Sequence, residues 1–182
     1  MKAVALCFFL SILACQGADA TKDRIYVLNE KSLTFGTTLS IEGCGEVSEQ
    51  TISLTRSFSI TGKLSGSSSE EFFSTSTTYN IKDGEGHVLA KVKKDAVMSF
   101  FTFMGNIYTI YDTDDHEIAK SELSKGIRPT FTITEKTGAI SKLTASGWFY
   151  YTWEIRQGAD SHLDPRVLWI IAASKTAADN DK

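Results

Sequence analysis

The sequence predicts a mainly β fold: a closed, mostly antiparallel barrel of about eleven to twelve strands around a buried C-terminal helix. Three observations predict it. Asp164–Ala178 (DPRVLWIIAASKTAA) begins with a good N-cap, and Pro165 sits where its missing N–H costs nothing. From Val167 to Ala173 that helix carries no charge and is apolar on every side, so it belongs inside a core. Almost everything before it reads as short strands, several of them joined as hairpins. A sheet closed around one helix buries all of these apolar faces together.

The helix is too short to cross a bilayer. About 14 residues span roughly 21 Å, whereas a membrane span takes about 20 apolar residues. No transmembrane segment is expected. Trp169, in the middle of the apolar run, is expected to be buried on all sides.

Residues 1–20 read as a signal peptide: Lys2 is the positive start, Ala3–Ala14 the apolar run, and Ala18-Asp19-Ala20 the cleavage site. The expected product is a secreted, extracellular chain starting at Thr21. A lipid-anchor reading of Ile12-Leu13-Ala14-Cys15, with Cys15 acylated, fits less well because of Leu13. Residues 21–178 form one barrel domain on this reading, and 179–182 a disordered tail. Removing the leader leaves Cys44 as the lone cysteine, so no intramolecular disulfide is expected and stability falls to the core. The formal net charge is −3, and no long basic run occurs, which argues against nucleic-acid binding. A monomer is expected.

Along the chain, Arg24–Leu28 and Leu33–Ile41 suit two strands. Thr51–Ile60 alternates: Ile52, Leu54, Phe58 and Ile60 share one parity with Arg56, while serines and threonines hold the other. Glu42–Glu46 reads as a turn, and Gly62–Glu71 (GKLSGSSSEE) as a flexible loop. Ile81–Lys91 and Ile110–Lys120 then align residue for residue, each a strand, an acidic turn and a strand, and Ile133–Lys142 is a shorter third copy. Between the first two, Ala96–Ile110 is expected to form a further strand pair turning at Gly105-Asn106. Pro129 opens a later strand, and Gly147–Arg156 (GWFYYTWEIR) reads as one long aromatic strand.

These hairpins, the aromatic strand and the closing helix resemble the tubby-like superfamily, above all its LURP-one-related members. Their hairpin pattern stands here as Tyr79, Ile81, Asp83, Gly86, Leu89, Ala90 and Val92. It recurs at Tyr108, Ile110, Asp112, Ile118 and Ala119, with Asp115 in place of the turn glycine, and the helix starts at Asp164-Pro165. The resemblance implies a twelve-stranded barrel threaded by an apolar helix. It also implies phosphoinositide binding on the barrel exterior, as in tubby domains.

The chemistry-bearing residues point to binding. Asp112–Glu117 resembles a calcium loop, but an EF-hand needs glycine at position six and glutamate at position twelve, where this chain has Glu117 and Leu123. A solvated turn is the expectation. His87 and His116 have no second ligand at metal spacing, and at His162-Leu163-Asp164 the carboxylate that could orient an imidazole is already needed as the helix cap. No nucleophile elbow, H-E-x-x-H or P-loop motif appears, so no catalytic residue, metal or cofactor is expected. Lys91, Lys93 and Lys94 are the most concentrated basic group. Lys91 and Lys93 share a strand face, and the three are the candidate contact for an anionic lipid headgroup. The predicted function is thus a secreted, non-enzymatic binding protein for a lipid headgroup or membrane surface. The alternative is a protein partner read through loops such as Gly62–Glu71. A lipocalin-like carrier is disfavoured, because a central helix fills the lumen it needs.

Overall fold

The computed structural model describes residues 21–31, 36–50, 55–71, 76–94, 108–123, 129–147 and 150–181. Twelve strands close into a barrel. They are β1 (Arg24–Glu30), β2 (Thr38–Ile41), β3 (Gly45–Gln50), β4 (Ser57–Gly62), β5 (Gly66–Glu70), β6 (Thr78–Asp83), β7 (Val88–Lys94), β8 (Tyr108–Tyr111), β9 (Glu117–Leu123), β10 (Thr130–Glu135), β11 (Ile140–Ser146) and β12 (Thr152–Gln157). Each pairs antiparallel with its sequence neighbours, and β12 closes the ring on β1 from Arg24↔Gln157 to Asn29↔Thr152. One helix, α1 (Pro165–Asn180), follows.

Strand alternation decides what faces inward. Phe58 and Ile60, Tyr79 and Ile81, Ala90 and Val92, Phe131 and Ile133, and Trp153 and Ile155 are all buried, with polar neighbours between them on the outer wall. Every residue of α1 from Val167 to Ala177 is buried as well. The helix and the inner faces form a single core, and Trp169 is 0% exposed within it. Its ring meets Tyr26 edge-on at 5.5 Å, while Trp153 stacks on Phe131 at 6.1 Å and on Tyr151 at 5.9 Å.

The repeated hairpins are the same object in three dimensions. The β6–β7 and β8–β9 pairs each shift register at the same point of the repeat, between Ile81 and Lys82 and between Ile110 and Tyr111. Gly86, Asp115 and Gly138 occupy equivalent turn positions with φ of 91°, 63° and 92°. Left-handed backbone crowds a Cβ, which explains glycine in two copies; aspartate is one of the few other residues that tolerates it. The departure at Asp115 therefore keeps the turn.

Several boundaries differ from the sequence reading. Gly66–Glu70, expected as flexible loop, is β5 and is hydrogen-bonded on both sides. Its low β-propensity is overridden by its place between two strong neighbours, with the small Ser68 buried against the interior. The turn at Glu42–Glu46 is shorter than expected, because β3 already starts at Gly45. β7 pairs directly with β8; the strand pair expected from Ala96, with its turn at Gly105-Asn106, falls on residues 95–107, outside the described residues. The aromatic strand is short, starting at Thr152, with Gly147 at φ 101° before it. The helix passes Ala178 and runs to Asn180, so Asp179 and Asn180 belong to it and not to a tail. Cys44 is buried; the expected lone thiol concerns the chain without residues 1–20, the segment expected as a signal peptide, which lies outside the described residues. Residues 51–54, expected as part of a strand, also lie outside them.

Candidate functional site

The barrel has two unlike ends. At the end where α1 starts, the connections are tight turns. Asp164 caps the helix, its Oδ1 accepting from Arg166 N at 2.9 Å. Arg166 returns a salt bridge to Asp164 at 2.8 Å and donates to the Ser65 carbonyl at 2.6 Å, tying the cap to the β4–β5 turn. Beside it, buried Glu135 accepts from Ser161 Oγ at 2.5 Å and His162 N at 3.1 Å. Gln157 Nε2 donates to Ser161 Oγ at 3.1 Å and to the Leu163 carbonyl at 2.6 Å. This network pins the segment leading into the helix. No local motif in the sequence marks it, because its members are 26 residues apart along the chain at the Glu135–Ser161 contact.

At the other end, Tyr151 donates to Asp179 at 2.8 Å, and Lys175 pairs with the same carboxylate. Burial and that carboxylate push the Tyr151 phenol up to about 12, so it stays a donor at neutral pH. Arg56 pairs with Glu49 at 2.9 Å and with Asp181, while Asn180 donates to Glu30 at 2.8 Å. These contacts fasten the end of α1 to the rim.

The two acidic turns lie side by side, since β7 pairs with β8. In the first, Asp83 Oδ1 accepts from Glu85 N and His87 N, both at 2.9 Å. In the second, Asp112 Oδ1 accepts from Asp114 N and His116 N, again both at 2.9 Å. The His116 amide is the main cause holding the Asp112 carboxyl below its ordinary value. Asp112, Asp114 and His116 bring ligand atoms within 4.8 Å of one another, the set nearest to a metal site among the described residues. Turn closure already accounts for the Asp112 contacts. His87 and His116 are 72% and 76% exposed at their side chains, and His162 is exposed as well.

The three candidate lysines do not act alike. Lys91 and Lys93 point to the outer wall, between buried Ala90 and Val92. Lys91 donates to Asp115 Oδ1 at 2.6 Å, a bond that raises its pKa and commits its charge to the neighbouring turn. Lys93 is exposed and makes no ion pair among the described residues. Lys94 is half-buried at the strand end, on the parity of Val92. The structure thus brings Lys91 and Lys93 onto one face and sets Lys94 apart.

The sequence reading missed another basic pair. Lys142 on β11 and Arg156 on β12 are directly opposed in register and both exposed. Like charges placed opposite each other oppose stability. Arg156 leans to Glu154 at 3.4 Å, and Lys142 has no carboxylate partner among the described residues. With Thr144 and Glu154 they line a recess of about 220 Å³ on the outer wall, below the roughly 300–1,000 Å³ of small-molecule sites. Pairing between strands, invisible in the linear sequence, creates this juxtaposition. Among the described residues, no helix is long and apolar enough to cross a membrane. Comparison with protein-family models, with curated proteins and with solved structures finds no match to this chain.

Proposed function

We infer that this protein is a secreted, non-enzymatic binding module of tubby-like architecture, and that its outer wall meets anionic lipid headgroups at a membrane surface. The observation that carries the reading is the filled lumen. Val167–Ala177 of α1 occupies the space in which a barrel of carrier type holds its ligand, and the inner faces pack against it. Recognition then falls to the exterior, where Lys93 presents an unneutralised charge beside Lys91. The repeated hairpins with equivalent turn conformations support the tubby-like comparison.

Vesicles containing phosphatidylserine, compared with neutral vesicles, test this. Binding to the charged vesicles is expected to weaken as salt rises, because exposed charges are screened. Lys91→Glu with Lys93→Glu is expected to abolish it while the thermal melt is retained, and Lys93→Glu alone to produce most of the loss. Equal vesicle binding by the double variant refutes the headgroup reading. A protein partner is the second reading. Tyr150, 53% exposed in the β11–β12 connection, is the large apolar side chain that favours it, in place of the Gly62–Glu71 loop that is now largely β5.

A further inference from the structure

The register of the outer wall carries a reading that goes beyond the headgroup proposal and does not rest on it. One outward row crosses four adjacent strands as Lys93, Thr109, Lys120 and Thr134, each directly opposite the next. The next strand continues it: Ile140 opposes Thr134, and Lys142 follows two residues along, opposite Arg156. Lys93, Lys120, Lys142 and Arg156 are all exposed, and hydroxyls of Thr109, Thr132 and Thr134 lie between them. In a chain of net charge −3, this is a basic stripe running from β7 to β12.

Carboxylates border it. Glu117 meets Lys120 at 3.3 Å, Glu154 meets Arg156 at 3.4 Å, and Glu122 opposes Thr132. The first two are exposed pairs, which contribute little and re-form readily with another anion. Lys93 and Lys142 carry no ion pair among the described residues.

Spacing and curvature select the ligand. Neighbouring strands lie about 4.8 Å apart, so Lys93 and Lys120, two strands apart, are separated by about 10 Å at the backbone, and the full stripe covers about 24 Å. It also follows the wall across six of the twelve strands. A flat bilayer cannot touch that much of a curved wall at once, whereas a flexible chain can lie along it. Nucleic acid fits less well, because its charges are denser, and the row offers no exposed aromatic ring on which bases would stack.

We propose that the Lys93–Lys120–Lys142–Arg156 stripe binds a linear acidic polysaccharide that lies across the strands, with carboxylates on every second sugar meeting Lys93, Lys120 and the adjacent Lys142–Arg156 pair, and sugar hydroxyls meeting the threonines. The full chain is titrated with hyaluronan, which carries one carboxylate per disaccharide. Neutral dextran, single-stranded DNA and phosphatidylserine vesicles are run in parallel. A decasaccharide is expected to bind in a salt-sensitive way, and a disaccharide, too short to bridge two cations, to bind at least about tenfold more weakly. Lys93→Glu and Lys142→Glu are each expected to weaken the decasaccharide about tenfold, as loss and reversal of one surface charge contact implies. Lys63→Glu, exposed on the β4–β5 turn away from the stripe, is expected to change it less than twofold, with all three variants melting cooperatively. Equal weakening by Lys63→Glu, no length dependence, or equal binding of DNA overturns the proposal. Vesicle binding lost in Lys93→Glu without any hyaluronan binding also overturns it and leaves the headgroup reading standing; hyaluronan binding without vesicle binding does the reverse.

Discussion

The two interior tryptophans give a differential test of how the core is held. Trp153 and Trp169 are both 0% exposed. Trp153 Nε1 donates to Thr176 Oγ1 on α1 at 2.9 Å, so it links wall to helix. Trp169 Nε1 has no hydrogen-bond partner among the described residues. Replacing either with phenylalanine removes a similar apolar volume, and the packing losses are therefore comparable. Trp153→Phe also removes a buried hydrogen bond with a net value of about 1 kcal/mol. Thr176 keeps its own bond to the Ala172 carbonyl at 3.0 Å, which limits the loss to that amount. Trp169→Phe removes a buried donor that is unsatisfied, which offsets part of its cavity cost by about 1–3 kcal/mol. Trp153→Phe is thus expected to be the more destabilising by at least about 1 kcal/mol, or roughly 2–4 °C in Tm for a domain of this size. Urea unfolding followed by fluorescence and by circular dichroism measures it, with unchanged m-values as the check on two-state behaviour. If Trp169→Phe is the more damaging, the unpaired indole is not a liability and the reasoning fails.

Trp169→Ala is expected to cost about 3–5 kcal/mol, and deletion of residues 163–182 to leave no cooperative melt; a truncated chain melting near the wild-type midpoint would refute the helix-as-core account. At Asp115, with φ 63°, Asp115→Gly is expected to hold stability and Asp115→Val to lose about 1–2 kcal/mol, read as the difference between two variants that both lack the Lys91 contact. Asp112 has a folded pKa below its ordinary 3.8, so the stability it adds is present above that value and lost as pH falls through the folded one. Asp112→Asn is expected to flatten the stability profile below about pH 4 and to leave its slope unchanged above pH 6; an unchanged acid limb refutes the assignment. Intact mass of protein secreted from a host cell is expected to place the N-terminus at Thr21, and an intact Met1 sinks the leader reading.

The sequence by itself determined the elements that rest on local chemistry and on one periodicity. The Asp164-Pro165 start, the all-round apolar run of α1 and the alternating strands are properties of single segments, and segments of that kind have few ways to bury themselves. The hairpin repeats were legible because a turn needs particular residues at particular offsets. Tertiary structure decided everything that depends on partners distant along the chain. Gly66–Glu70 is a strand only because its neighbours supply hydrogen bonds on both sides. Lys91 looks like a free cation in the sequence, but Asp115, 24 residues away, takes its charge. The Lys142–Arg156 opposition and the stripe through Lys93 exist only once register is set, because which side chains meet across strands is a property of the pairing and not of either strand alone.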